Sequence, residues 1–179
     1  MVLFKMVDDI MEGFESILTR RSIRKYKNKK IPDLVIDKIL MAAISAPSAG
    51  NEQPWQFMVI DDKKILEDIT NFLPNGKFLP NADKAILVCG DINLEKHKGY
   101  WHVDCSAATQ NILLTSHIFG IGSCWLGVYP KEDRIKNLKK YFKMPENIIP
   151  FSLISLGYPD EDNCKVDRYN ESRIHKNKW

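Results

Sequence analysis

The spacing of hydrophobic residues along the chain predicts helices that alternate with short apolar strands. Apolar residues recur at helical spacing in five stretches, at residues 12–19, 32–46, 63–72, 101–119 and 131–141. Near-continuous apolar runs predict four strands, at residues 56–60, 85–89, 123–128 and 148–156. Strands that are apolar at nearly every position are typical of a sheet covered on both faces. The order of elements therefore favours an α/β or α+β domain.

The remaining 157–179 segment is polar but carries isolated large hydrophobic residues, Tyr158, Tyr169, Ile174 and Trp179. A disordered tail rarely needs such anchors, and Trp and Tyr are favoured at protein interfaces. The pattern predicts a tail that packs against a second subunit. With 179 residues, the chain is expected to form one domain.

Composition and charge exclude several classes of protein. The net charge of +3 is small, so a general nucleic-acid surface is not expected. No apolar stretch approaches the roughly 20 residues that span a bilayer, and no secretory signal is recognised at the start of the sequence. We therefore expect a cytoplasmic protein that binds neither membrane nor nucleic acid. The four cysteines form no CxxC pair, which argues for reduced thiols and against a metal site.

Basic residues are concentrated between positions 20 and 30, where seven Lys or Arg occur without an acidic residue. If this segment is extended, Arg20, Ser22 and Arg24 lie on one face, because side chains alternate along a strand. Two guanidinium groups and a hydroxyl match the donors that a phosphate requires. The alternative is a solvated basic face or a nonspecific polyanion patch, and the segment alone leaves both interpretations open.

Small residues and amides fill the stretch between the second helix and the first strand, Pro47-Ser48-Ala49-Gly50-Asn51-Glu52-Gln53-Pro54-Trp55. Small side chains let a ligand approach the backbone closely, and amide side chains can both donate to and accept from a heterocycle. An ordinary turn after a helix fits this stretch equally well.

These two motifs, in this order, resemble the flavin-binding signature of the nitroreductase family. Three further parts of the chain resemble the family's central helix, its glycine-rich turn and its ending, at residues 107–114, at residues 120–127, and at residues 156–159 together with 167–175. The resemblance implies an α+β fold with a central mixed sheet flanked by helices. It also implies a single FMN-binding domain over residues 1–179, and an intertwined homodimer whose tail, from about residue 157, embraces the partner.

The resemblance also implies which residues hold FMN. Arg20, Ser22 and Arg24 would contact the phosphate, the ribityl chain and the nearby flavin edge, and Arg21 would contribute mainly through its backbone. The other residues implied to bind are Pro47, Ser48, Ala49 and Asn51 from the other subunit, Leu126 and Gly127 through their backbone, and Arg168 at the phosphate.

The activity implied by the resemblance is transfer of a hydride from NADH or NADPH to flavin N5 and then to a small-molecule electron acceptor. Nitroaromatic, quinone-like and other flat acceptors fit this ping-pong reaction. The flavin carries the redox chemistry, so no catalytic side chain is expected, although Arg24 is a candidate for electrostatic stabilisation of the reduced flavin. One alternative is a flavoenzyme of the same fold with another reaction, namely dehalogenation, flavin fragmentation or ring dehydrogenation. A more distant one is a basic nucleic-acid or partner-binding module.

Overall fold

A computed structural model describes residues 13–162 and 166–179. The described residues form five helices, α1 (Gly13–Thr19), α2 (Asp33–Ile44), α3 (Lys63–Ile69), α4 (Trp101–Ile118) and α5 (Glu132–Phe142). They also form four strands, β1 (Trp55–Ile60), β2 (Lys84–Asp91), β3 (Gly122–Gly127) and β4 (Ile148–Gly157). Every helix and strand predicted from the apolar pattern is therefore present, with ends shifted by a few residues. Glu12, the predicted first residue of the first helix, lies outside the described residues.

The strands form one sheet in the order β1-β2-β4-β3. All three strand pairs are antiparallel, so the prediction of a mixed sheet is wrong for the strands that the structure describes. The reason is that β4, the last strand in sequence, inserts between β2 and β3 and runs opposite to both. Parallel pairing in the described residues is confined to an isolated bridge between Ser22 and Ser123.

Helices cover both faces of this sheet, as the continuous apolar strands predicted. Side chains alternate along β2, so Ile86 and Val88 join one core with α2 and α4, while Ala85 and Leu87 join another with α3 and α5. All four of these side chains are fully buried. The sheet is thus a rigid middle layer, and its β3 edge carries the residues discussed below.

Helix α4 crosses one face of the sheet and ends before Gly120, whose φ of 69° is left-handed, as expected for a C-terminal cap. Ala108 and Ile112 lie in the core, whereas Val103 and Phe119 are about half exposed, at 51% and 45%. The apolar surface of α4 and of the adjoining Phe119 is therefore only partly covered by the described residues of this chain. None of the helices described is long and apolar enough to cross a membrane.

Residues 166–179 of the tail are exposed throughout. Their hydrophobic residues Tyr169, Ile174 and Trp179 are 72%, 52% and 101% exposed. This stretch therefore adds nothing to the described core, whereas Tyr158, at the start of the tail, is half-buried and packs against the core of its own chain. Cys89, Cys105 and Cys124 are free and buried thiols, in agreement with the sequence, whereas Cys164 lies outside the described residues.

Candidate active site at the edge of the sheet

The basic segment, residues 20–27, is extended and fixed to the edge of the sheet. The backbone N–H of Ile23 donates to Ser123 O on β3 (2.9 Å), and that of Lys27 donates to Tyr158 O beyond β4 (2.9 Å). Tyr26 is buried, and its hydroxyl bonds with Ile23 O (2.5 Å) and Ser155 Oγ (2.7 Å). Backbone and buried residues thus hold the segment in place, and the side chains of Ser22 and Arg24 are left exposed.

A cleft of about 400 Å³ opens between this segment and the end of β3, here called the β3 cleft. Its lining residues are Arg24, Leu73, Asn75, Cys124, Trp125, Leu126, Gly127 and Arg134. The Arg134 guanidinium donates through Nη1 to Gly127 O (2.6 Å). A Cβ atom placed on Gly127 would meet no protein atom within 4 Å. The β3 cleft therefore combines two cations with open backbone at the end of a strand.

A second cavity, of about 730 Å³, lies where α1 meets the tail, and we call it the arginine cavity. It is lined by Ile17, Leu18, Arg20, Arg21, Val166, Asp167, Arg168 and Tyr169. Burial, and next the positive charges of Arg21 and Arg168, lower the pKa of Arg20 from its ordinary value. Within the described chain, neither Arg20 nor Arg168 forms a salt bridge. A cluster of like charges of this kind is stabilised by an anion.

Arg21 differs from its neighbours because its side chain is occupied locally. Its Nη1 donates to Leu18 O (2.9 Å) and to Arg20 O (2.6 Å) at the end of α1. This orientation turns the guanidinium toward the helix end, where cations are favoured by the helix dipole.

The residues predicted to form one face, Arg20, Ser22 and Arg24, are grouped around the buried Cys124 thiol. Burial raises the pKa of Cys124, whereas the charge of Arg24, a hydrogen bond from Ser22 and the charge of Arg20 act in the opposite direction. Arg20 lines the arginine cavity and Arg24 lines the β3 cleft. The segment therefore spans two cavities, a division that alternation along an extended chain did not predict.

The 47–53 loop has a backbone that few residues adopt. Gly50, Asn51 and Gln53 have φ values of 53°, 53° and 47°, in the left-handed region. Side chains hold this shape, since Gln53 N donates to Ser48 Oγ (3.0 Å) and Gln53 Nε2 donates to Asn51 Oδ1 (2.8 Å).

The loop residues predicted to bind flavin, Pro47, Ser48, Ala49 and Asn51, line neither the β3 cleft nor the arginine cavity among the residues that the structure describes. Pro47 and Asn51 are exposed, and Ser48 and Ala49 are half-buried. One chain therefore presents the two predicted halves of the site on separate surfaces.

Two buried carboxyl groups, one in this loop and one on α4, were not predicted from the sequence. Glu52 is 6% exposed and Asp104 of α4 is 4% exposed. Asp104 lies one helical turn before Ala108, on the face of α4 that packs into the core. A carboxyl group at a core position is a signal that could have been used, because buried acids need partners.

Other contributors were also missed. Arg134 and Asn75 line the β3 cleft from outside the recognised motifs. His117 makes a polar contact, with its Nε2 2.9 Å from Thr19 Oγ1. Burial, and then the charges of Arg20 and Arg21, lower the pKa of His117, so it adds no further positive charge. The described residues contain no cluster of His, Cys, Asp or Glu suited to a metal ion.

Comparison with known proteins identifies the family. The model of the nitroreductase family matches residues 17–77 and 73–158. A protein of Archaeoglobus fulgidus, provisionally named an NADH dehydrogenase/NAD(P)H nitroreductase, is 51% identical over 172 residues, covering 94% of this chain and 99% of its own.

Solved structures agree with this assignment. A provisionally named NADH oxidase of Clostridium acetobutylicum superposes with a TM-score of 0.89 at 42% identity, over 92% of this chain and 99% of the other. An FMN-dependent nitroreductase of Clostridium difficile superposes with a TM-score of 0.85 at 33% identity, over 94% of this chain and 100% of the other. As its motifs predicted, the chain belongs to the nitroreductase family.

Proposed function

We propose that this nitroreductase-family oxidoreductase binds FMN and passes a hydride from NADH or NADPH through it to a flat electron acceptor in a ping-pong reaction. Nitroaromatic and quinone-like compounds are the acceptor classes we expect. The main support is that residues 20–24 connect two cavities at the sheet edge. Arg20 lines the arginine cavity, and Arg24 lines the β3 cleft beside the open backbone of Gly127. The names of the relatives, FMN-dependent nitroreductase and NAD(P)H nitroreductase, support the same assignment.

The arginine cavity fits the phosphate of FMN. Arg20 and Arg168 contribute guanidinium groups that no described carboxylate pairs with, and the lowered pKa of Arg20 reflects burial beside like charges. A phosphate accepts hydrogen bonds from both groups and removes their mutual repulsion. Arg21 would contribute its backbone N–H, because its side chain is held at the end of α1.

The β3 cleft fits the flat ring system. Leu126 and Gly127 would contact it through their backbone, where the missing side chain of Gly127 leaves room. Ser22 would serve the ribityl chain that joins phosphate and ring. Arg24 would place a positive charge at the flavin edge, where it favours the electron-rich state.

The second half of the site would come from a partner copy. Pro47, Ser48, Ala49 and Asn51 line neither cavity of their own chain, yet their loop is held in a specific shape. The exposed apolar residues of α4 and of the tail provide a surface for a homodimer, since large exposed apolar patches mark interaction sites. Residues 1–179 would form one FMN-binding domain, with the tail from about residue 157 embracing the partner, in the cytoplasm.

When bound, FMN supplies the chemistry of hydride acceptance and donation at N5. The protein would therefore need no nucleophile of its own. Its residues bind and orient the cofactor, and the Arg24 and Arg134 charges stabilise negative charge that develops in the β3 cleft. The acceptor would enter the space that the nicotinamide leaves.

The first test is the visible spectrum of the purified protein, followed by identification of the flavin that denaturation releases. We expect FMN, and we expect oxidation of NADH or NADPH that depends on an added nitroaromatic or quinone; comparing the two donors gives the preference. Bound FMN without nicotinamide oxidation would instead favour another flavin reaction. Failure to bind FMN, together with salt-sensitive binding of polyanions, would favour a nucleic-acid or partner-binding module.

A further inference from the structure

Glu52 connects the 47–53 loop to the segment that precedes α4. Its Oε2 accepts hydrogen bonds from the backbone N–H groups of Lys96 (2.7 Å) and His97 (3.0 Å). Because the side chain is almost completely buried, water does not compete for these bonds. One carboxyl group therefore fixes two backbone segments to each other.

Asp104 connects the same loop to α4. Its Oδ1 accepts from the backbone N–H of Ala49 (3.1 Å), a residue in the part of the loop proposed to approach FMN. The other oxygens of the two acids, Glu52 Oε1 and Asp104 Oδ2, are buried and accept from no donor among the described residues. The two carboxyl groups interact with each other closely enough that each shifts the pKa of the other.

Two ionised carboxylates cannot hydrogen-bond to each other, because both are acceptors only. Two negative charges in contact and out of water also repel strongly, so such pairs retain one proton. A single proton between Oε1 and Oδ2 satisfies both oxygens and removes the repulsion.

We propose that Glu52 and Asp104 share one proton and, as a pair, act as positioning residues that hold the 47–53 loop in the shape required at the flavin site. The part of this proposal that concerns flavin rests on the proposed function. The shared proton itself is a property of the protein without cofactor. Neither residue is expected to touch the flavin.

The surroundings place this proton on Asp104. Burial, the hydrogen bond with Glu52 and the charges of Glu52 and Glu95 raise the pKa of Asp104, against the bond from Ala49 N–H. For Glu52, burial raises the pKa. This effect is outweighed by the hydrogen bonds from the His97 and Lys96 N–H groups, the interaction with Asp104 and the charge of His97, so the pKa is lowered. Glu52 is thus the ionised partner and Asp104 the donor.

The direction of the pH effect follows from these shifts. A group with a raised pKa stabilises the fold fully below its unfolded value, about 3.9 for Asp, and this contribution is lost as the pH rises through the folded value. Glu52, with a lowered pKa, contributes above its unfolded value and loses that contribution as the pH falls. The loop is therefore expected to loosen on the alkaline side, when Asp104 loses its proton.

The test compares two variants at one position. In Asp104→Asn the amide can still accept from Ala49 N–H and donate to Glu52, without a titrating proton. In Asp104→Ala both bonds are lost, and Glu52 and Ala49 N–H lose a partner. At neutral pH we expect Asp104→Ala to weaken FMN binding about tenfold, and Asp104→Asn to leave it within about twofold.

Measurements on the protein without FMN keep the two proposals separable. We expect the infrared C=O band of a protonated carboxylic acid in the wild type at neutral pH, and its loss in Asp104→Asn. We also expect hydrogen exchange at Ala49 N–H to accelerate with rising pH beyond the intrinsic pH dependence of exchange, in the wild type but not in Asp104→Asn.

If the band or the extra acceleration is absent in the wild type, or if Asp104→Asn weakens FMN binding as much as Asp104→Ala, the inference is wrong. A wild type with both signatures but no FMN binding would refute the proposed function and leave the shared proton standing.

Discussion

The two proposed halves of the flavin site are built in opposite ways. In the 20–27 segment, the backbone is fixed by the sheet edge and by the buried Tyr26, and the charged side chains are left for a ligand. In the 47–53 loop, hydrogen bonds to the side chains of Asp104 and of the loop's own Ser48 fix the backbone, and the backbone and small side chains are left for a ligand. The first half contributes charge and the second contributes shape.

This difference predicts how each half responds to mutation. Removing a charge from the basic segment changes ligand affinity and leaves the fold almost unchanged, because Ile23 and Tyr26 rather than the arginines hold the segment. Altering the loop changes affinity through the backbone conformation.

Removing the guanidinium groups of Arg20 and Arg168, which pair with no carboxylate among the described residues, is expected to have the largest effect. Each charged hydrogen bond contributes about 1.5–3 kcal/mol, so Arg20→Ala/Arg168→Ala should weaken FMN binding by a factor of about 100 or more. Thermal stability without FMN should stay the same or rise slightly, because repulsion between like charges is removed. Fluorescence titration and thermal unfolding measure the two quantities.

The matched control is Lys27→Ala, an exposed cation of the same segment that lines neither cavity. It should change FMN affinity less than about threefold, through long-range charge only. Equal losses in the control and the double variant would mean that general positive charge, and not a built phosphate site, attracts the ligand.

Filling the open backbone of β3 is expected to have the next largest effect. The methyl groups of Gly127→Val would project into the β3 cleft, where no protein atom opposes a Cβ. We expect FMN affinity to fall about tenfold or more while the free energy of unfolding stays within about 1 kcal/mol of the wild type. Gly127→Ala should give an intermediate loss of affinity. If both variants bind FMN fully, the flavin ring does not lie against this strand.

Substitutions in the left-handed turn of the 47–53 loop are expected to change FMN affinity least. They differ most clearly from the arginine variant in their effect on thermal stability. Gly50→Ala adds a Cβ at φ 53°, which costs about 1–2 kcal/mol, and places it 2.6 Å from His97 Nε2. We expect about a tenfold loss of FMN affinity, accompanied by lower thermal stability, unlike the arginine variant. Asn51→Gly adopts the left-handed φ without strain and removes the amide together with its bond from Gln53 Nε2. The bond from Gln53 N to Ser48 Oγ remains, so a loss of about threefold is expected.

A different ranking would contradict the contrast between charge and shape. If Asn51→Gly weakened binding more than Gly50→Ala, the Asn51 amide would matter more than the conformation of the loop. Hydrogen exchange of the loop amides in each variant shows directly whether the backbone has moved.

The sequence predicted those parts of the fold that depend on local pattern. Apolar runs located every strand because both faces of the sheet are covered. Strand ends were less accurate, since β2 begins at Lys84, a buried lysine that is paired with Asp33 (3.3 Å) and Asp61 (3.4 Å). Those partners are distant in sequence, so periodicity could not reveal them. Strand direction was missed for the same reason, because a uniformly apolar strand carries no signal of its orientation.

In the candidate site, the sequence indicated the residues that present charge but not the residues that support the loop. Arg20, Ser22 and Arg24 lie in one recognisable run, whereas Glu52 and Asp104 meet only when α4 packs under the loop. The division of the basic segment between two cavities was also unpredicted, because it depends on where the tail and β3 lie. The resemblance to a family suggested which positions face a ligand, but it carried no information on the contacts beneath them.

The central claim is that one flavin site takes its basic half from one protomer and its loop from the partner. The most direct test mixes two defective variants, Arg20→Ala/Arg24→Ala and Gly50→Ala/Asn51→Ala, carrying different affinity tags so that the hybrid can be isolated. FMN is added at a concentration that saturates the wild type and leaves each parent variant nearly empty. We expect one FMN per hybrid dimer with wild-type affinity, because one of its two sites receives both intact halves. If the hybrid dimer is as empty as its parents, both halves of each site lie within one protomer and the shared site does not exist.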